Sequence, residues 1–270
     1  MANKPIKIAL LGLGTVGTGV YKLLSMRADD MPQIAGAPIE ISHILVRNAS
    51  KPRSGVETAL LTDNWNDIIS DPEVSIVVEL MGGIEPAHTY IKEALQANKN
   101  VVTANKDLIA VHGGELLDLA EEHHCDLQFE ASVAGAIPII HPLKQSLAGN
   151  RITEIMGIVN GTTNYILTRM TEDGMEADPT ADIEGYDAGR KVAIMASIAF
   201  HSRVTFDDVF TEGITNIQER DIRYAKEMGK AVKLLGVACN TDEGIEVRVH
   251  PMLIPSSHPL ATVNNAFNAV

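Results

Sequence analysis

The chain has only two cysteines, Cys125 and Cys239, far apart and in no metal-like spacing. That argues against a disulfide framework and fits a reducing compartment. Basic residues are also scarce: 22 Lys and Arg stand against 35 Asp and Glu, a formal net charge of −13. Such a surface repels a phosphate backbone, so nucleic acid and anionic membranes are not expected partners, although a local basic patch can hold one small phosphate. No apolar run is long enough to cross a bilayer, and the run inside MANKPIKIALLGLG is too short for a secretory signal. Internal repeats and low-complexity tracts are absent. What is present is 45% apolar and 21% charged residues over a length of 270. That is enough for one large domain or two ordinary ones with a sizeable core. The expectation is a soluble, cytoplasmic protein.

The first half alternates. Residues 6–11 form a short apolar run, followed by a glycine-rich turn and a helical pattern with Val16, Val20, Leu23 and Leu24 on one side. Strands are expected at 39–46, 74–80, 100–103 and 126–130, and helices at 86–97 and 115–124. Residues 74–80 read as buried on both faces. This alternation predicts an α/β, Rossmann-like doubly wound parallel sheet over residues 1–130. After that the rhythm changes. A long strand at 151–159, helices near 162–172, 187–200 and 219–228, and two apolar strands, KAVKLLGVA and GIEVRV, predict a mixed α/β domain over 131–270.

The turn after the first strand is Gly12-Leu13-Gly14-Thr15-Val16-Gly17. In a strand–turn–helix context, its glycines let backbone approach a pyrophosphate at a helix N-terminus, which points to a dinucleotide. NAD would call for an acidic residue after the second strand, to bind the ribose 2′-hydroxyl. Arg47 stands there, with Lys51 and Arg53 nearby, which favours the 2′-phosphate of NADP. A solvated basic loop is the competing reading, and NAD stays possible. Further strand ends carry Gly82-Gly83 and Thr103-Ala104-Asn105-Lys106, where ligands of such sheets sit.

Two stretches of the second half stand out. Asn160-Gly161-Thr162-Thr163-Asn164 places amides and hydroxyls where a connection needs few residues. Residues 177–200 carry Asp178, Asp182, Glu184 and Asp187 ahead of Arg190 and Lys191, and then a nearly all-apolar helix. Asp187 and Lys191 share a helix face. An exposed ion pair there would be worth only tenths of a kcal/mol, but the apolar continuation places this helix in the interior.

Together ALLGLGTVGTGV, VVTANKDLIA, FEASVAGAIPII, GIVNGTTNYIL and ADPTADIEGYDAGRK resemble homoserine dehydrogenases of the bacterial type. The motifs are ordered and span nearly all of residues 6–265. The resemblance implies NAD(P)-dependent oxidation of L-homoserine to L-aspartate 4-semialdehyde, or the reverse. The reaction belongs to the aspartate pathway to threonine, methionine and isoleucine. It implies a homodimer, or a higher homo-oligomer, formed through the second domain. Lys191 matches the catalytic lysine, Asp187 the aspartate that orients substrate and lysine, and Lys106 a second active-site lysine that contacts cofactor and substrate. Gly161 and Thr162 match the turn that binds the amino-acid end of the substrate, with Asn160 shaping it. A zwitterion needs donors for its carboxylate, supplied by helix-start amides and a hydroxyl, and acceptors for its ammonium, for which Asp182 and Glu176 are candidates. Gly12, Leu13, Gly14, Thr15, Val16, Gly17, Arg47, Gly82, Thr103 and Lys106 fall to the cofactor. FEASVAGAIPII matches a monovalent-cation loop for sodium or potassium, here Glu130 with the carbonyls of Val133, Gly135 and Ile137. Oxygen-only ligation suits a hard ion. A Gly-rich loop with Glu130 merely hydrogen-bonded is the alternative there.

The chain departs from the family pattern twice. A helical segment ahead of ADPTADIEG is reduced to Glu176, and a Gly-rich strand and helix expected after NNAFNAV, with the regulatory ACT domain many members carry, do not follow. The chain is therefore expected to lack segments near 175–177 and at its C-terminus. A catalytically impaired NADP-binding paralogue, or another amino-acid dehydrogenase, stays open as the alternative.

Overall fold

The computed structural model describes residues 4–173 and 183–270. The chain divides into two compact units, Met1–Phe129 and Glu130–Val270.

The first unit is built on six strands: β1 (Ile6–Leu11), β2 (Ile39–Leu45), β3 (Leu61–Thr62), β4 (Val74–Glu79), β5 (Asn100–Thr103) and β6 (Leu127–Gln128). All pair in parallel, in the order β3-β2-β1-β4-β5-β6. The order reverses between β1 and β4, and the crevice at such a reversal is where doubly wound sheets bind ligands. Its helices are α1 (Thr15–Met26), α2 (Met31–Ala35), α3 (Asn66–Ile69), α4 (Ala87–Gln96) and α5 (Lys106–Glu122). Ile8, Leu10, Ile44, Val46 and Val78 form a core cluster that Leu13, Val20, Tyr21 and Leu24 pack against. The inward face of α1 thus differs from the expected one, because Val16 and Leu23 are more than half exposed. On α4 the stripe Ala87, Ile91, Ala94 and Leu95 is buried, as its spacing requires.

Some boundaries shift. The helix expected at 115 begins at Lys106. Gly113 lies inside it, buried, where a Cβ would stand 3.2 Å from the Ile109 side chain one turn earlier. The strand expected at 126–130 pairs only at Leu127–Gln128, and Glu130–Ser132 forms a 3-10 turn. The two-residue strand β3 has too little sequence to carry a period.

The second unit holds the mixed sheet β7-β9-β10-β8, with β7 (Glu154–Gly157), β8 (Phe210–Thr211), β9 (Lys230–Thr241) and β10 (Gly244–Pro255). β9 and β10 form a long antiparallel hairpin joined by Asp242 and Glu243. The strand expected at 151–159 is reduced to β7, with a bridge from Ile158 to Ala269 beyond it. Helices α6 (Gly161–Asp173), α7 (Tyr186–Ala199) and α8 (Glu219–Glu227) pack on this sheet. The apolar run of β9 is buried on both faces within the unit. Leu235 and Val237 join Ile158, Ile254 and Leu260, while Gly236 lets Val192 of α7 approach to 3.3 Å of where a Cβ would stand. β9 is therefore an interior strand. The sheet edges are β7 and β8, and β8 pairs with β10 only at Arg248 and Val249.

Candidate active site

In the first unit, β1 delivers the chain into the glycine turn. Gly12 has φ +101°, and a Cβ there would lie 2.9 Å from the carbonyl oxygen of Leu80, so only glycine fits between β1 and β4. A Cβ on Gly17 would lie 2.3 Å from the Gly12 carbonyl, so that glycine sets how closely α1 packs on the turn. Gly14 faces open space and caps α1 with no side chain of its own. Such a turn leaves first-turn amides for a bound anion.

The turn opens on a cleft of about 500 Å³, lined among others by Gly12, Gly14, Arg47, Arg53, Gly82 and Tyr90. Arg47 is exposed, whereas Arg53 donates to the carbonyls of Asn48 and Lys51 and so stiffens the loop carrying both. The motif arrangement therefore brings Gly12, Leu13, Gly14, Arg47 and Gly82 to one cleft. Thr15 and Val16 open α1 on its exposed side.

Behind the strand ends sits a group the sequence reading missed. Glu79 is fully buried at the end of β4. One carboxylate oxygen accepts from the amides of Met81 (2.8 Å) and Gly82 (3.3 Å), and the other from the Thr103 hydroxyl (2.6 Å). Thr103 Oγ1 in turn accepts from the Asn105 amide, and Asn105 donates to the Gly83 carbonyl at 2.6 Å while capping α5 at Leu108. Lys106 is the first residue of α5, immediately after this relay. Thr103 is thus fully buried and works as a link in the relay rather than on the surface of the cleft. The available signal was an acidic residue closing an otherwise apolar strand.

In the second unit, Asn160 ends the β7 segment. Its side-chain oxygen accepts from the Thr163 amide at 2.8 Å, capping α6. Its side-chain nitrogen donates to Asp187 Oδ2 at 2.8 Å. The same oxygen accepts from Lys191 Nζ at 2.7 Å, and Nζ also donates to the Val159 carbonyl at 2.8 Å. Lys191 and Asp187 are mostly buried, with 16% and 14% of their side chains exposed. Gly161 and Thr162 open α6 beside them, and Thr162 is exposed. A Cβ on Gly161 would lie 2.6 Å from the Ala266 carbonyl, because the segment after Val263 packs on this turn. Asn164 holds that segment through the carbonyls of Val263, Asn265 and Phe267. Glu176 and Asp182 lie outside the described residues.

The Glu130 carboxylate accepts from the amides of Ile140 (2.8 Å) and His141 (2.7 Å), one on each oxygen. Val133, Gly135 and Ile137 lie between, with Ala134 and Ala136 in the left-handed region at φ 45° and 67°. Asn268 Oδ1 is buried with no hydrogen-bond donor among the described residues, and the Asn268 amide nitrogen lies 3.5 Å from the Gly135 carbonyl. Glu130 is thus held by backbone amides, one on each oxygen, and its carboxylate oxygens retain lone pairs beyond those donors.

Fold and site together define a two-unit α/β protein: a dinucleotide-binding unit of the Rossmann type, followed by a mixed unit with a lysine–aspartate centre. Residues 12–130 match the family profile described as homoserine dehydrogenase, NAD binding domain, and residues 138–270 the one described as homoserine dehydrogenase. The homoserine dehydrogenase of Corynebacterium glutamicum is 50% identical over 98% of this chain and 64% of its own length. A solved homoserine dehydrogenase from Thiobacillus denitrificans superposes with a TM-score of 0.92 at 44% identity, over 98% of this chain and 65% of that one. That of S. aureus gives 0.85 at 41%, over 98% and 71%. The chain belongs to the homoserine dehydrogenase family. It spans slightly under two thirds of the length of the first curated relatives it matches. Among the described residues, no helix is long and apolar enough to cross a membrane.

Proposed function

We propose that the protein interconverts L-homoserine and L-aspartate 4-semialdehyde with a nicotinamide cofactor. The observation that carries this reading is the junction of Asn160, Asp187 and Lys191 at the turn that opens α6. The cofactor, when bound, supplies the hydride chemistry. The chain's task is to hold geometry and move one proton. Lys191 Nζ, fixed by Asp187 Oδ2 and the Val159 carbonyl, donates a proton to the aldehyde oxygen in reduction and, as the neutral amine, accepts the hydroxyl proton in oxidation. Gly161 and Thr162 receive the substrate carboxylate at the start of α6, and Glu176 and Asp182 are assigned to its ammonium end. Lys106, the first residue of α5, is assigned to the contact of cofactor with substrate.

Three finer assignments belong to the same reading. Arg47, in the cleft beside Arg53, favours NADP over NAD. Glu130 with the carbonyls of Val133, Gly135 and Ile137 would hold sodium or potassium as a structural ion. The second unit carries the homodimer contact, and the outer edge of β10 beyond Val249 is the candidate strand for it, since a bare edge invites pairing. The expected location is the cytoplasm, and the product feeds threonine, methionine and isoleucine synthesis.

The deciding experiment follows reduced-nicotinamide absorbance with homoserine, and with aspartate semialdehyde in reverse, alongside a direct cofactor-binding titration. Turnover in both directions is expected. Tight cofactor binding without turnover of either substrate would make the chain an impaired paralogue. Turnover only with other amino acids would make it a different dehydrogenase.

A further inference from the structure

We propose that His88, His112 and Glu115, on the first unit, form a site for a divalent transition ion of the zinc type. His88 lies in the first turn of α4. His112 and Glu115 lie one turn apart on α5, which packs beside it. One ligand atom from each residue falls within 4.8 Å of the others. Glu115 Oε2 is 3.2 Å from His88 Nε2 and 3.5 Å from His112 Nδ1. The other oxygen, Oε1, is taken by Lys92 Nζ at 2.6 Å, so Oε2 is the one left to the imidazoles. That hydrogen bond from Lys92 holds the Glu115 carboxyl below its usual range.

The far side of His88 completes the pattern. Its Nδ1 is 3.3 Å from Glu85 Oε1, and Thr89 donates to the other oxygen of Glu85 at 2.8 Å. A carboxylate on one imidazole nitrogen sets the tautomer and aims the lone pair of the other, the usual support of a metal-bound histidine. With the ring proton on Nδ1 toward Glu85, Nε2 would turn its lone pair toward the Glu115 oxygen that His112 Nδ1 also faces. Acceptors converging in this way require a cation between them, either a proton on an imidazole or a metal ion. The rings now stack at 4.0 Å, inclined by 19°, so ligation needs each ring to turn until both lone pairs meet. Their side chains are 14% and 29% exposed, which leaves a solvent side for that turn and for water ligands. Two imidazoles and one carboxylate suit zinc, nickel or copper and not calcium or magnesium, whose ligands are oxygens. The bound ion would tie α4 to α5.

The test is calorimetric titration of metal-stripped protein with zinc chloride, and with cobalt(II) followed through its visible absorption. One equivalent is expected, binding in the micromolar range, with a cobalt spectrum characteristic of mixed nitrogen and oxygen ligation. His112→Ala and Glu115→Gln should each weaken binding by at least about tenfold. Lys92→Met should tighten it, by removing the competing cation. Unchanged melting of the metal-free variants would show that the losses are not misfolding. No stoichiometric binding, or equal zinc affinity in wild type and His112→Ala, would reduce the cluster to proton-held surface ion pairs and overturn the proposal.

Discussion

Asn160 donates its side-chain amide to the Asp187 oxygen that also receives Lys191, at 2.8 and 2.7 Å. One carboxylate oxygen thereby couples the turn that opens α6 to the first turns of α7. The position of the lysine depends on that turn, and the turn depends on the same asparagine as the cap of α6.

Lys191→Ala is expected to lower turnover by about two to four powers of ten, the usual scale for losing a general acid–base group. Cofactor affinity should hardly change, because the glycine turn and Arg47 belong to the other unit. Steady-state kinetics with a cofactor titration checks both. Near-normal turnover would make Lys191 a structural ion-pair residue and shift the proton-transfer role to Lys106.

Asn160→Ala removes a helix cap, worth about 1 kcal/mol, and a donor to Asp187. The loss in kcat/KM is expected to be smaller than for Lys191→Ala and to be shared between KM and kcat, since both the turn and the lysine are displaced. Asn160→Asp should keep the cap but set a second carboxylate against Asp187, so its activity should not recover. Recovery in that variant would show that the contact to Asp187 is dispensable.

Arg47→Asp should weaken NADP binding and leave NAD binding unchanged or improved, because an acidic side chain there suits a ribose hydroxyl and repels a phosphate. Fluorescence titration with both coenzymes measures the ratio. Identical affinities before and after would remove Arg47 from coenzyme selection.

Glu79→Ala leaves the Thr103 hydroxyl and two backbone amides without their buried acceptor. A stability loss of about 2–4 kcal/mol is expected from groups stranded in this way, with weaker cofactor binding as the Gly82 loop loosens. Glu79→Gln retains one carbonyl oxygen for the amides, and Thr103 can rotate to accept, so it should be milder. Chemical denaturation and cofactor titration of the pair distinguish the two. Equal behaviour of both variants and wild type would contradict the relay.

Lys233 is buried and donates to Asn164 Oδ1, the Val263 carbonyl and Asn264 Oδ1. Burial pushes its ammonium below the ordinary lysine value of 10.5. With the folded value depressed, the unfolded chain binds the extra proton between the two values. Stability from this group therefore rises with pH through that window and levels off above about 10.5, and the penalty is fully present below the folded value. Lys233→Met should abolish this alkaline rise. The difference in unfolding free energy between wild type and variant should grow with pH toward that limit. A pH-independent difference would show that Lys233 is not titrating in the folded protein.

Much of the fold was legible because its signals are local. The alternation of apolar runs and helical stripes over residues 6–130 announces a parallel sheet. The glycines of residues 12–17 sit within one turn of each other, and Asp187 and Lys191 are four residues apart on one helix. Such signals depend on neighbours along the chain, so order and spacing suffice to read them. Long-range contacts decided the rest. The apolar run of β9 becomes interior only because α7 covers one face while Ile158 and Leu260 pack on the other.

The chemistry of the two sites divides the same way. The sequence by itself determined which groups could act: a glycine turn for an anion, a basic loop for a phosphate, a lysine beside an aspartate. Only the tertiary structure decided which groups hold them in place. Glu79 reaches Thr103 across 24 residues, Asn160 reaches Asp187 across 27, and Lys233 reaches Asn164 across 69. Nothing in the local pattern marks those partners, because a buried polar group is satisfied by whatever donor or acceptor the folded chain brings within about 3 Å, wherever it lies in the sequence.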